Sequence, residues 1–191
     1  MTCLEFIASI TSSLAWPVVL LIGLLIMKEP LLKALPRLQK VKFKELEAEF
    51  DRDLDKIEQD VKAAGLEEVE DTEIVEDLQD RLEQISQISP NAAIVEAFRS
   101  VEQSAKTLIK SRNLHPDYKT ASPYKLIERV LSQNDFLNKK EISIFRDLRN
   151  LRNKITHSDL HASKKQADEY IELAALLIAK IDDAADGNLN H

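Results

Sequence analysis

Residues 138–166 read NKKEISIFRDLRNLRNKITHSDLHASKKQ. Asn138 and Glu141 stand three apart, the spacing of a capping box, in which each side chain satisfies a backbone N–H of the other's turn. Ser163 and Gln166 repeat that spacing at the far end. Between them Ile142, Phe145, Leu148, Leu151 and Ile155 recur at intervals of three and four, the period of a helix with one apolar face. The stretch therefore predicts a helix opened by Asn138, a loop, and a last helix opened by Ser163.

The same grammar extends outward. Tyr170, Leu173, Ala174, Leu177, Ile178 and Ile181 line the last helix. Upstream, Ser122 caps a short helix with Pro123 at its first position, followed by Leu126, Ile127, Val130 and Leu131. Ser89-Pro90 opens another helix, with Ile94, Phe98, Val101, Ala105 and Leu108 on its apolar side. Asn113 to Ala121 reads as a loop holding His115-Pro116-Asp117. With almost no strand signal, residues 90–185 predict an all-α four-helix bundle, and 186–191 a tail.

Composition agrees and excludes other classes. The chain has 191 residues but only 3 glycines, too few for a turn-rich all-β fold, a glycine-rich phosphate loop or a dinucleotide fingerprint. Cys3 is the sole cysteine, which excludes a disulfide framework and a cysteine-rich zinc site. The four histidines show no HExxH spacing, so neither metal nor cofactor is expected.

Charge is zoned. Residues 1–27 hold only Glu5; residues 28–44 carry six basic and one acidic side chain; residues 45–90 carry 17 acidic against 4 basic; residues 91–191 carry 16 basic against 14 acidic. Residues 6–27, FIASITSSLAWPVVLLIGLLIM, hold no charge. At 1.5 Å per residue a helix of that length crosses a hydrocarbon core of about 30 Å. The start MTCLE lacks the basic residues of a signal peptide. Residues 1–28 therefore predict an uncleaved single-pass anchor. Lys28, Lys33, Arg37, Lys40, Lys42 and Lys44 follow the span. The positive-inside rule puts the N-terminus outside and the C-terminal domain in the cytoplasm, on an inner or plasma membrane.

Residues 29–89 read as a basic juxtamembrane segment and an acidic stalk. Leu46, Phe50, Leu54, Ile57 and Val61, then Ile74, Leu78, Leu82, Ile85 and Ile88, mark two amphipathic helices joined near Gly65–Asp71. Each narrow seam wants a partner, in its own chain or in another copy, as in a coiled coil. The stalk's charge suggests that it keeps polyanions off the bundle.

Within the opening stretch, RNLRNKITHSD (149–159) concentrates polar chemistry. On a helical wheel Arg146, Arg149, Asn153, Thr156 and His157 fall opposite the apolar face, and Arg152 lies at the boundary, where its stem packs while its guanidinium reaches out. Arg152 and His157 are about 140° apart on a regular helix. They converge only through the length of Arg152, a distorted helix end, or a second copy. The bland reading is a basic last turn complementing the helix dipole.

Arg152-Asn153-Lys154-Ile155-Thr156-His157 resembles the signature of the HEPN superfamily, an Arg, a polar residue and a His after four intervening positions, on the third helix of a small bundle. The resemblance covers about residues 90–185. It implies a metal-independent endoribonuclease acting on RNA as a homodimer, with two motif helices forming one cleft. By the same resemblance His157 is the general acid or base, Arg152 stabilises the phosphorane and Asn153 orients substrate or imidazole. Arg149, Lys154 and Arg146 are expected to supply phosphate binding from the same face. Glu96 and Glu102 are further cleft candidates, while His115 and His161 lie in loops. Some members carry a Tyr two residues after the His; here that position is Asp159. The superfamily also holds non-catalytic dimerisation and RNA-binding modules, so two functions stay open: a membrane-tethered ribonuclease of defence or stress, and a scaffold.

Overall fold

A computed structural model describes residues 3–66, 73–114 and 123–187, with side chains described for 16–28, 44–66, 75–114 and 124–187. Its six α-helices are α1 (Cys3–Ala64), α2 (Glu73–Ile88), α3 (Pro90–Ser111), α4 (Pro123–Gln133), α5 (Lys139–His157) and α6 (Lys164–Asp186). No strand occurs among the described residues. Local chemistry sets most helix ends. The Asn138 Oδ1 accepts from the Lys140 and Glu141 amides at 2.8 and 3.1 Å, and Glu141 Oε2 accepts from the Asn138 amide at 2.6 Å. Ser163 and Gln166 form the second reciprocal pair. Ser89 caps α3, with Pro90 at the first position. Gly65, at φ +71°, ends α1 in the left-handed region that favours glycine. The expected cap at Ser122, the loop with His115, the α1–α2 joint beyond Leu66, the side chain of Ile74 and the tail beyond Gly187 lie outside the described residues.

The chain divides into two units, Met1–Glu45 and Leu46–His191. In the second, α3 and α6 form the central pair, with Phe98, Leu108, Tyr170 and Leu177 fully buried. The α5 helix adds Phe145, whose ring lies 5.6 Å from that of Phe98. The sequence boundary drawn at residue 89 does not survive. Phe50, Leu54, Ile57 and Val61 of α1, with Val75 and Leu82 of α2, belong to the same apolar core as α3–α6. The seams expected to make a stalk find their partner within their own chain. Fully burying such side chains is worth about 1.5–3 kcal/mol each. The register of α2 also differs: Ile88 faces solvent, while Ser86 is buried and donates to Asp168 Oδ1 at 2.5 Å.

In the first unit, Trp16 and most large apolar residues from Val18 to Met27 are exposed. No helix among the described residues is long and apolar enough to cross a membrane. Residues 6–15 of the expected span, and Lys33, Arg37, Lys40 and Lys42 after it, lie outside the described side chains. The transmembrane expectation is thus unsupported at this level.

Candidate functional site

The helix that carries the motif is held from several sides. Ile144, Phe145, Leu148 and Leu151 are buried along its inner face. The fully buried Tyr170 hydroxyl donates to the Leu148 carbonyl at 2.9 Å, and burial pushes its phenol well above the usual value. At the far end Ser158 Oγ donates to the Lys154 carbonyl at 2.6 Å and accepts from the Leu160 amide at 3.2 Å. The Asn91 side chain on α3 then clasps the loop. Its Nδ2 donates to the Leu160 carbonyl and its Oδ1 accepts from the Ala162 amide, both at 2.8 Å.

Arg152 and Asn153 come together. Arg152 Nη1 donates to Asn153 Oδ1 at 3.1 Å, while Arg152 Nε is buried without a hydrogen-bond partner. An unsatisfied buried donor of a charged group is costly, on the order of 1–3 kcal/mol or more, and native structures hold few of them. His157 is the last residue of α5 and is exposed. Among the described residues it makes no hydrogen bond or ion pair, so it is not joined to Arg152 or Asn153. The geometry therefore offers a half-sunk guanidinium with spare donors and an uncommitted imidazole on the same helix.

The three expected phosphate contacts separate. Arg146 and Arg149 both turn towards α4, where Glu128 receives them. Its Oε1 accepts from Arg146 Nη2 at 2.5 Å and Nε at 3.2 Å, and its Oε2 accepts from Arg149 Nη1 at 3.1 Å. Partial burial raises the Glu128 carboxyl, but the hydrogen bonds and charges of Arg146 and Arg149 outweigh it and hold it below its usual value. The Arg149 guanidinium also lies 4.5 Å from the centre of the Tyr124 ring. Lys154 does not share that side. Five residues after Arg149, it is rotated by about 140°. It meets α1 instead, with Nζ 2.8 Å from Glu49 Oε1 and 2.6 Å from Asp53 Oδ2. Burial lowers the Lys154 ammonium, and its two carboxylate partners more than reverse that. On the same flank Lys56 pairs with Asp147 at 2.8 Å, and Gln166 donates to Asp51 Oδ1 at 2.5 Å. The acidic segment thus covers one named candidate, Lys154, directly.

Of the other candidates, Glu96 pairs with Arg99 and Glu102 with Lys106, each along α3. Asp159 and His161 are exposed in the α5–α6 loop. Two groups were not singled out by sequence. One is the Asn91 clasp, for which a lone Asn in the first turn of a helix carries no signal. The other is the α4 pair Lys125 and Arg129, four residues apart and so on one helical face. That spacing was readable.

No family model, no curated protein and no solved structure matches the chain. The likeness to HEPN proteins rests on the motif and its place in a helical bundle.

Proposed function

We propose that the chain is a membrane-anchored, HEPN-like endoribonuclease that cleaves RNA without a metal and acts as a homodimer in bacterial defence or stress. The observation that carries this reading is the pairing of Arg152 with Asn153, with the Arg152 Nε left unsatisfied, on the helix that ends in the exposed, uncommitted His157. Two copies of α5 facing each other would make one cleft. There one imidazole takes the proton of a ribose 2′-hydroxyl as its oxygen attacks the adjacent phosphorus. The second copy's protonated imidazole gives a proton to the departing 5′-oxygen. Imidazole is the side chain best suited to both roles at neutral pH. Arg152 neutralises the phosphorane with donors that never lose their charge. The products are a 2′,3′-cyclic phosphate and a 5′-hydroxyl. The apolar surface of Trp16–Met27 supports the anchor, since a contiguous exposed patch of this kind wants lipid or protein cover.

The full chain in detergent should cleave single-stranded RNA in EDTA and leave cyclic-phosphate ends. His157→Ala should lower the rate by about 10²–10⁴-fold, the usual worth of a general acid or base. Equal rates for the two proteins would sink the assignment. Binding without any cleavage by the parent chain favours the second reading, a non-catalytic RNA-binding or dimerisation module. The engagement of Arg146, Arg149 and Lys154 by the chain's own carboxylates lends that reading some support.

A further inference from the structure

Between α4 and α5 lies a cleft of about 550 Å³. Lys125 and Arg129 of α4 and Arg146 and Arg149 of α5 line it, and Glu128 is its one carboxylate. Four cations around one anion give a local charge of +3 in a chain whose net charge is -7. Glu128 is already shared by Arg146 and Arg149. Lys125 and Arg129 have no ion-pair partner among the described residues. Like charges gathered on a concave wall focus a positive potential and favour an arriving anion.

The arrangement of Glu128 says which anion. Its Oε1 accepts from two donors of Arg146 and its Oε2 from one donor of Arg149, so one anionic group spans two guanidiniums, as the oxygens of a phosphate also can. It thereby holds Arg146 and Arg149 in place before any ligand arrives. Arg149 is further held against Tyr124, and a guanidinium stacked on an aromatic ring forms a flat plate of the kind on which bases stack. Ser132 and Gln133 add neutral hydrogen-bonding groups to the wall. The cleft is also in line with the motif. From Arg146 to Asn153 is seven residues, about 10 Å along the axis of α5. A continuous polyanion lying along α5 would touch both. A single lipid headgroup or a phosphorylated side chain has no such extension.

We propose that the α4–α5 cleft is a track for the backbone of single-stranded RNA. Lys125 and Arg129 are its open phosphate contacts, and Glu128 is an internal anion that an incoming phosphate displaces from Arg146 and Arg149. The choice of RNA as ligand rests on the ribonuclease reading; the cleft and its charge do not.

The test uses the full chain in a non-ionic detergent, carrying His157→Ala so that no turnover occurs, and a fluorescent single-stranded RNA oligonucleotide titrated at several salt concentrations. Losing two phosphate contacts should flatten the slope of log affinity against log salt by about 1.4, at about 0.7 per contact on a single strand. Lys125→Gln with Arg129→Gln should show that flattening and weaken binding about tenfold near 0.1 M salt. Both side chains are exposed, so the substitutions leave the core alone. Glu128→Gln should instead tighten binding severalfold. An unchanged slope in the double variant overturns the proposal, as does a Glu128→Gln variant that binds no tighter. So does a double variant that loses only its adhesion to anionic phospholipid vesicles, or to a phosphopeptide, while RNA affinity holds. Cleavage by the parent chain is scored separately. His157-dependent cleavage with an unchanged slope removes the cleft and leaves the enzyme. A flattened slope with no cleavage removes the enzyme and leaves the cleft.

Discussion

Arg149 and Lys154 stand five residues apart on α5, and the molecule surrounds them in opposite ways. On the α1 flank Lys154 meets an excess of acid, facing both Glu49 and Asp53, while Lys56 pairs with Asp147 and the neutral Gln166 meets Asp51 nearby. On the α4 flank four cations surround one carboxylate, Glu128, which pairs with only Arg146 and Arg149. One helix therefore has a saturated side and an unsaturated side, although its own sequence is basic throughout its second half. What differs is the helix packed alongside. The overall charge of -7 describes neither flank.

The contrast also separates what holds a helix from what tunes its surface. The ion pairs of α1 are partly exposed, and pairs of that kind are worth about 0–1 kcal/mol after side-chain entropy and screening. Phe50 and Ile57 are fully buried. Burial anchors this part of α1, and the carboxylates decide only what α5 presents to solvent.

The largest expected effect follows from that. Phe50→Ala should cost about 3–5 kcal/mol in denaturant unfolding, the range for deleting a buried aromatic ring. A loss under 1 kcal/mol would mean that the α1 segment is a detachable stalk after all. A smaller effect separates the flanks by charge. Glu49→Gln with Asp53→Asn should release Lys154 and steepen the salt dependence of RNA binding by about 0.7, one added phosphate contact. An unaltered slope would show that the two sides of α5 do not differ in access. The smallest effect is in acid. The Glu128 carboxyl lies below its usual value of 4.5 in the folded chain, because Arg146 and Arg149 overcome the opposing effect of burial. Its contribution is complete above the unfolded value and is lost as pH falls through the lower folded one. Glu128→Gln should therefore make unfolding stability less steep in acid, as pH falls below the usual carboxyl value of 4.5. An unchanged acid limb would show that Glu128 holds neither arginine.

Helix ends were legible in the sequence because caps are local. The pairs Asn138–Glu141 and Ser163–Gln166 need only three residues of spacing, and both form as read. The docking of Phe50–Val61 was not legible. An amphipathic seam has the same period whether its partner is the same chain or another copy. The α5 wheel placed Arg146 and Arg149 together, but Lys154 was expected on their face and instead meets α1, and no wheel names the carboxylates of another helix. Glu49, Asp53 and Glu128 acquire meaning only when α1 and α4 come to rest beside α5. The i, i+4 pair of Lys125 and Arg129 was in plain view, and its significance waited for the arginines across the cleft.

The Asn91 clasp sets two clocks at the end of α5. A surface imidazole such as His157 changes rotamer in picoseconds to nanoseconds. The peptide that follows it is tied through the Leu160 carbonyl and the Ala162 amide to a side chain of α3, so the Ala162 amide reaches solvent only when the clasp releases. Openings of that sort are local unfolding events, rarer by orders of magnitude than rotamer changes. An arriving ligand therefore meets a ring that samples every direction on a hinge that has already stopped moving.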